Sequence, residues 1–167
     1  MATFSCQQKK AVPVSDPVLQ AKVAAYASFP LKADLSGLSL KEKQILPYLY
    51  EAAGIIDDIF WQETYGDRSE LFKKFTDPAA QAFLKINYGP WERLNGNQPF
   101  LEGFGSKPAG AQFYPLDMTK EEFEAFDSKD KSSLYTMIRR DKAGKLYTIP
   151  YHEYFADQTK KIVELLR

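Results

Sequence analysis

The sequence predicts an α+β chain, predominantly helical, with several helices, a long ordered loop rich in Gly, Pro and aromatic residues, and one late β-hairpin. Three observations predict it. Apolar residues recur at helical spacing from Ile45 to Phe60, behind the capping box Ser39-Leu40-Lys41-Glu42. Alternating faces from Leu134 to Arg140 are followed by the turn residues Asp141-Lys142-Ala143-Gly144. Between them, Ile86 to Met118 holds too many Gly, Pro and Asn for a long helix and too many aromatics for a disordered linker.

The elements follow in order. Residues 1–15 read as a flexible tail, and 16–167 as one lobe or part-lobe. Asp16-Pro17 is an N-cap followed by Pro at the first helical position, and Val18, Leu19, Val23 and Tyr26 give that helix its apolar stripe. Phe29-Pro30 ends it. The helix after Ser39 is expected to run to about Tyr65, with a kink at Pro47. Its adjacent Asp57 and Asp58 point in different directions and read as a solvated face rather than a paired-carboxylate site. Gly66-Asp67 breaks it and caps a further helix with Leu71, Phe72 and Phe75 inward. Asp77-Pro78 repeats the cap-then-Pro signal and leads to about Lys85.

After the loop, Thr119-Lys120-Glu121-Glu122 is a second capping box. In the strand from Leu134, Thr136 and Ile138 share one face, and Tyr135, Met137 and Arg139 share the other. Leu146 to Ile149 pairs back and Pro150 closes the hairpin. The last helix starts near Tyr151 and carries Tyr154, Phe155, Ile162, Val163, Leu165 and Leu166. It has no stop signal, so a cut end with exposed apolar surface is expected.

Totals exclude several classes. Lys and Arg number 22, as do Asp and Glu, so the charge balance favours neither nucleic acid nor an anionic surface. One Cys rules out an internal disulfide and a Cys zinc cluster, and one His rules out a pair of imidazoles on a metal. No apolar run reaches the ~18 residues of a membrane span.

Local chemistry is thin. His152-Glu153 opens like a helical zinc motif, but Ala156 and Asp157 stand where the second His belongs. There is no Gly-x-Ser-x-Gly elbow and no Walker loop, and Gly103-x-Gly105 does not follow a strand. Arg139-Arg140 could hold an anion, but one outward strand residue and one turn residue is the better reading. The central loop offers the strongest candidates for contact with a ligand: Asn87, Tyr88, Trp91 and Arg93, a polar-aromatic mix where ordered loops concentrate function.

At the start, Ser5-Cys6 followed by Gln7-Gln8-Lys9-Lys10 resembles the end of a bacterial lipoprotein signal, with Cys6 the lipidated residue. Thr3 departs from the aliphatic residue usual there, and the basic and apolar regions that precede such a Cys are missing. The resemblance implies export and a lipid anchor in a bacterial envelope. Without it the chain reads as cytoplasmic, with membrane contact only through that anchor.

Three blocks carry a second resemblance. They are Ile86-Asn87-Tyr88-Gly89-Pro90-Trp91-Glu92-Arg93-Leu94-Asn95-Gly96, Lys107 to Glu122, and Leu134 to Arg140 with Ile149-Pro150-Tyr151-His152-Glu153. Together, over roughly Leu31 to Arg167, the chain resembles the N-terminal portion of bacterial dipeptidyl-peptidase III-type zinc-dependent peptidases. The resemblance implies a two-lobed hydrolase with a wide peptide cleft. Its zinc would be held downstream by a His-Glu-x-x-Gly-His or similar helix and a further Glu, the first Glu acting as base on zinc-bound water. None of these ligands can be carried onto this sequence, and there is no nudix box either. The chain is then a fragment that supplies scaffold and cleft wall, binds no zinc by itself and is inactive alone. Its partners would be the remaining catalytic lobe and a peptide substrate. The competing reading is a non-catalytic, lipid-tethered helical interaction module. A zinc motif or a stop codon beyond Arg167 in the gene separates the two.

Overall fold

A computed structural model describes residues 15–167. Its elements are α1 (Pro17–Ala24), α2 (Leu40–Lys43), α3 (Leu46–Thr64), α4 (Arg68–Lys74) and α5 (Pro78–Asn87), then β1 (Trp91–Glu92) and β2 (Gln98–Pro99). After these come α6 (Lys120–Ala125), β3 (Thr136–Arg140), β4 (Leu146–Pro150), α7 (Tyr151–Tyr154) and α8 (Ala156–Leu165). The predominantly helical α+β class is the one read from the sequence.

Caps set the helix starts. Asp16 accepts from the Val18 and Leu19 amides, Asp67 from Ser69 and Asp77 from Ala80. Both capping boxes form in full, with Ser39 and Glu42 opening α2 and Thr119 and Glu122 opening α6. Asp77 also ties two helices together. Its Oδ1 accepts from Ser15 Oγ at 3.0 Å and its Oδ2 from the Asp16 amide at 2.9 Å, while Ser15 Oγ accepts from the Ala79 amide at 3.0 Å. The Ala80 amide foremost, with these donors, holds the Asp77 carboxyl below its usual range.

Two expected helices are each divided. The helix behind Ser39 is two helices, and Pro47 stands in the first turn of the second instead of kinking a single one. Proline has no N–H to give the carbonyl four residues earlier, and its ring crowds that carbonyl. That carbonyl belongs to Lys43, where α2 stops. Near the end of the chain, the expected single helix is likewise divided into α7 and α8 at the buried Phe155, which has φ −106° and ψ 41°.

Three apolar clusters make the core. In one, Leu19 of α1 meets Ala79, Ala80 and Phe83 of α5. In the second, Trp61 of α3 meets Leu71 and Leu84. The third joins Ile59 of α3 to Met137 of β3 and Phe155. Helix α3 therefore packs on both sides, with Ile59 toward the hairpin and Trp61 toward α4 and α5. The β3–β4 hairpin pairs in the register Met137↔Ile149 and Arg140↔Leu146. Sequence alternation gave its two strand faces different neighbours, yet Met137 and Ile138 are both fully buried. The central loop covers the hairpin, its Phe113 carbonyl accepting from the Ile138 amide at 2.9 Å.

The loop is ordered by its own bonds. Its short β1–β2 ribbon pairs Trp91 with Pro99 and Glu92 with Gln98. The Gln112 amide donates to the Glu63 carbonyl at 2.9 Å, which anchors the loop to the end of α3. No helix of the described residues is long and apolar enough to cross a membrane. Cys6, read above as a lipidation site, lies outside the described residues.

Candidate functional site

Helix α5 delivers the chain into the loop through Asn87, Tyr88 and Gly89. Asn87 is buried, and both ends of its amide are used: Nδ2 donates to the Phe83 carbonyl at 3.0 Å and Oδ1 accepts from the Arg93 amide at 3.0 Å. It therefore binds the end of α5 to the residue that follows β1. Tyr88 caps α5 in the left-handed conformation at φ 52°, which costs a non-glycine residue roughly 1–2 kcal/mol. Its hydroxyl compensates by donating to Asp57 Oδ1 of α3 at 2.6 Å. That bond, and then burial, push the phenol up from its ordinary value.

Trp91 is buried, with its Nε1 donating to the Gly105 carbonyl at 2.9 Å and its ring tilted against Tyr65 and edge-on to Phe104. Gly89, at φ 146°, passes against the Trp91 ring, and a Cβ there would lie 3.3 Å from Cε3. Trp91 is thus the post on which the loop folds.

Arg93 is exposed at its outer side. Its guanidinium lies 5.4 Å from the ring centres of both Phe60 and Tyr88. Among the described residues it makes no ion pair. Lys107, in the second half of the loop, is half-buried. Burial, and then the Arg93 charge, lower its amine below the ordinary lysine value. Among the described residues neither Arg93 nor Lys107 makes an ion pair. Sequence reading did not find Lys107, because nothing local links it to a residue 14 positions earlier.

Asn87 and Tyr88 are joined to Arg93, whereas the Trp91 ring packs separately on Tyr65 and Phe104. Tyr88 and Arg93 form the surface of the loop, and Asn87 and Trp91 its support. The other basic residues are placed differently. Arg140 is clamped between Asp117 at 2.9 Å and Glu122 at 2.8 Å. Arg139 stacks 4.4 Å from the Tyr154 ring centre and gives Nη1 to the Phe113 and Ile138 carbonyls. Asp57 and Asp58, read as a solvated face, are open to solvent, and both pair with Arg68. His152 is exposed on α7, 3.9 Å from Glu153. Among the described residues no three His, Cys, Asp or Glu side chains gather into a group that could hold a metal.

Over these elements the chain has the fold of a segment of dipeptidyl-peptidase III, and the match agrees with an N-terminal portion of such a protein. The dipeptidyl-peptidase III of Caldithrix abyssi superposes with a TM-score of 0.80 at 36% identity, covering 88% of this chain and 30% of that one. The enzyme of Corallococcus sp. strain EGB superposes equally well at 29% identity, covering 90% of this chain and 30% of its own. The sequence is also 26% identical to Nudix hydrolase 3 of Arabidopsis thaliana over 89% of this chain and 27% of the plant protein. No family model matches. The chain thus spans less than a third of each of these relatives.

Proposed function

We propose that this chain is the N-terminal part of a zinc-dependent dipeptidyl-peptidase III-type hydrolase and supplies scaffold and one wall of its peptide cleft, with the catalytic zinc held elsewhere in the larger polypeptide. The observation that carries the site is the Arg93 guanidinium, seated on two aromatic rings without a carboxylate partner. Guanidinium N–H groups left free in a fixed fork suit a peptide carboxylate or a backbone carbonyl. Tyr88 offers an apolar face beside it, Asn87 fixes the Arg93 backbone and Trp91 holds the loop. Tyr88 and Arg93 form the contact surface, and Asn87 and Trp91, buried beneath it, hold it in place.

The test is kinetic. In the whole polypeptide, Arg93→Ala should raise KM for peptides roughly tenfold, equivalent to about 1.4 kcal/mol of lost binding, with little change in kcat. Arg93→Lys should recover only part of the loss, because a point charge replaces the fork. Unchanged kinetics in both variants would remove Arg93 from the cleft.

A further inference from the structure

We infer that the outward stripe of α3 is the surface on which the rest of the larger polypeptide docks, and that its occupant is an apolar-faced helix of that remaining portion. This rests on the reading of the chain as one part of a peptidase-type protein. Ile45, just before α3, and Leu49, Ala53, Ile56 and Phe60 within it recur at steps of three and four and share one face. All five are exposed; Ile45, Leu49 and Ile56 leave 51%, 47% and 55% of their surface open. Ala52, Ile55 and Ile59 point instead toward the third core cluster or stay covered. A row of large side chains along a helix about 28 Å long is more apolar surface than a chain standing alone usually shows.

Asp57, which flanks Ala53 and Phe60 at helical spacing, is already paired with Arg68. The face therefore asks for apolar chemistry rather than for charge. It is also grooved near its start and beside its middle. A groove of about 780 Å³ lies by Ile45 and Tyr48, and a mainly apolar one of about 490 Å³ lies by Ile56, Tyr135 and Ile162. Side chains of a docked helix fit such depressions. The occupant is argued from coverage: about 70% of each dipeptidyl-peptidase III neighbour lies outside the match, which leaves ample polypeptide to cover this face. The stripe ends at Phe60, directly beneath Arg93, so a segment docked here would border the proposed peptide wall.

The experiment replaces the matched segment of the Caldithrix abyssi enzyme with this chain. Hydroxyl-radical footprinting then compares the chimera with the 167-residue chain alone. Oxidation of Tyr48, Leu49 and Ile56 should fall at least fivefold in the chimera, while Val18 and Leu116 stay as reactive as before. Leu49→Glu with Ile56→Glu should leave the melting of the chain alone unchanged and lower that of the chimera. Undiminished oxidation of the stripe in a soluble chimera would overturn the inference. If the chimera is insoluble, the footprint is read on this chain mixed with the remaining Caldithrix polypeptide, and absence of protection there overturns it equally. Protection that appears in the chain alone, rising with concentration alongside a dimer, would assign the stripe to a second copy and also overturn it. Peptide hydrolysis, measured in parallel, separates this inference from the cleft-wall reading. Hydrolysis with an open stripe defeats only the docking. A covered stripe with wild-type KM in Arg93→Ala defeats only the wall.

Discussion

At the scale of single residues, the loop is held by side chains whose chemistry is already spent inside the protein. Gly110 shows how tightly. It sits at φ +73°, and a Cβ there would overlap the Tyr114 ring. Gly110→Ala should therefore destabilise by more than the ~1 kcal/mol of left-handed strain alone, read as a lower denaturant midpoint with unchanged slope. Tyr88 is the opposite case, a left-handed residue kept although a glycine would sit there without strain. Its phenol reaches Asp57, and its ring lies beneath the Arg93 guanidinium, so the strain is offset by contacts that glycine lacks. The Gly-Pro-aromatic stretch marked this region as ordered, but of the four candidates read there Asn87 and Trp91 are buried. Their division into surface and support was not legible. Asn87 and Trp91 are fixed by partners at Phe83, Arg93 and Gly105, and only folding brings Trp91 to Gly105.

At the scale of elements, what a few neighbouring residues decide was readable, and what distant packing decides was not. Asp16, Ser39, Asp67, Asp77 and Thr119 all cap as their sequence neighbours indicate, because the acceptor and the amide it satisfies lie within three residues. The hairpin turn is equally local, with Asp141 Oδ1 accepting from the Ala143 and Lys145 amides at 2.9 Å each. The division at Phe155 has no such signal. That ring is drawn into the cluster with Ile59 and Met137, and the helix gives way to let it in. The same logic makes Phe83 the most sensitive position of α5. It is fully buried against Leu19 and stacks edge-on with Phe100 at 4.5 Å between ring centres. Phe83→Ala should cost about 3–5 kcal/mol, measured by chemical denaturation, because both α1 and the loop lose their seat.

At the scale of the whole molecule, stability should fall at both ends of the pH range. Glu42, Asp67, Asp77 and Glu122 are all held below the usual carboxylate range, chiefly by hydrogen bonds from Ser39, Ser69, Ala80 and Arg140 respectively. A lowered native value means that the unfolded chain takes up protons first on acidification. Their contribution is complete above about pH 4 and is lost as pH falls through the native values. Tyr65 and Tyr151 are raised, each chiefly by burial, and Tyr88 chiefly by its bond to Asp57. For a raised phenol the unfolded chain ionises first on the alkaline side, so stability declines above about pH 10. Thermal melts across pH, with phenolate absorbance followed in parallel, check both limbs. Tyr151→Phe should flatten the alkaline one.

The Glu122 carboxylate has a consequence beyond its own helix. One oxygen, Oε2, accepts from the Thr119 amide at 3.2 Å and from Arg140 Nη2 at 2.8 Å, so the first turn of α6 and the end of β3 are fastened by the same atom. Fraying at either place slackens the other. Amides of the α6 start and of the hairpin tip should then exchange with solvent as a synchronous pair, and neutralising that oxygen should uncouple their clocks.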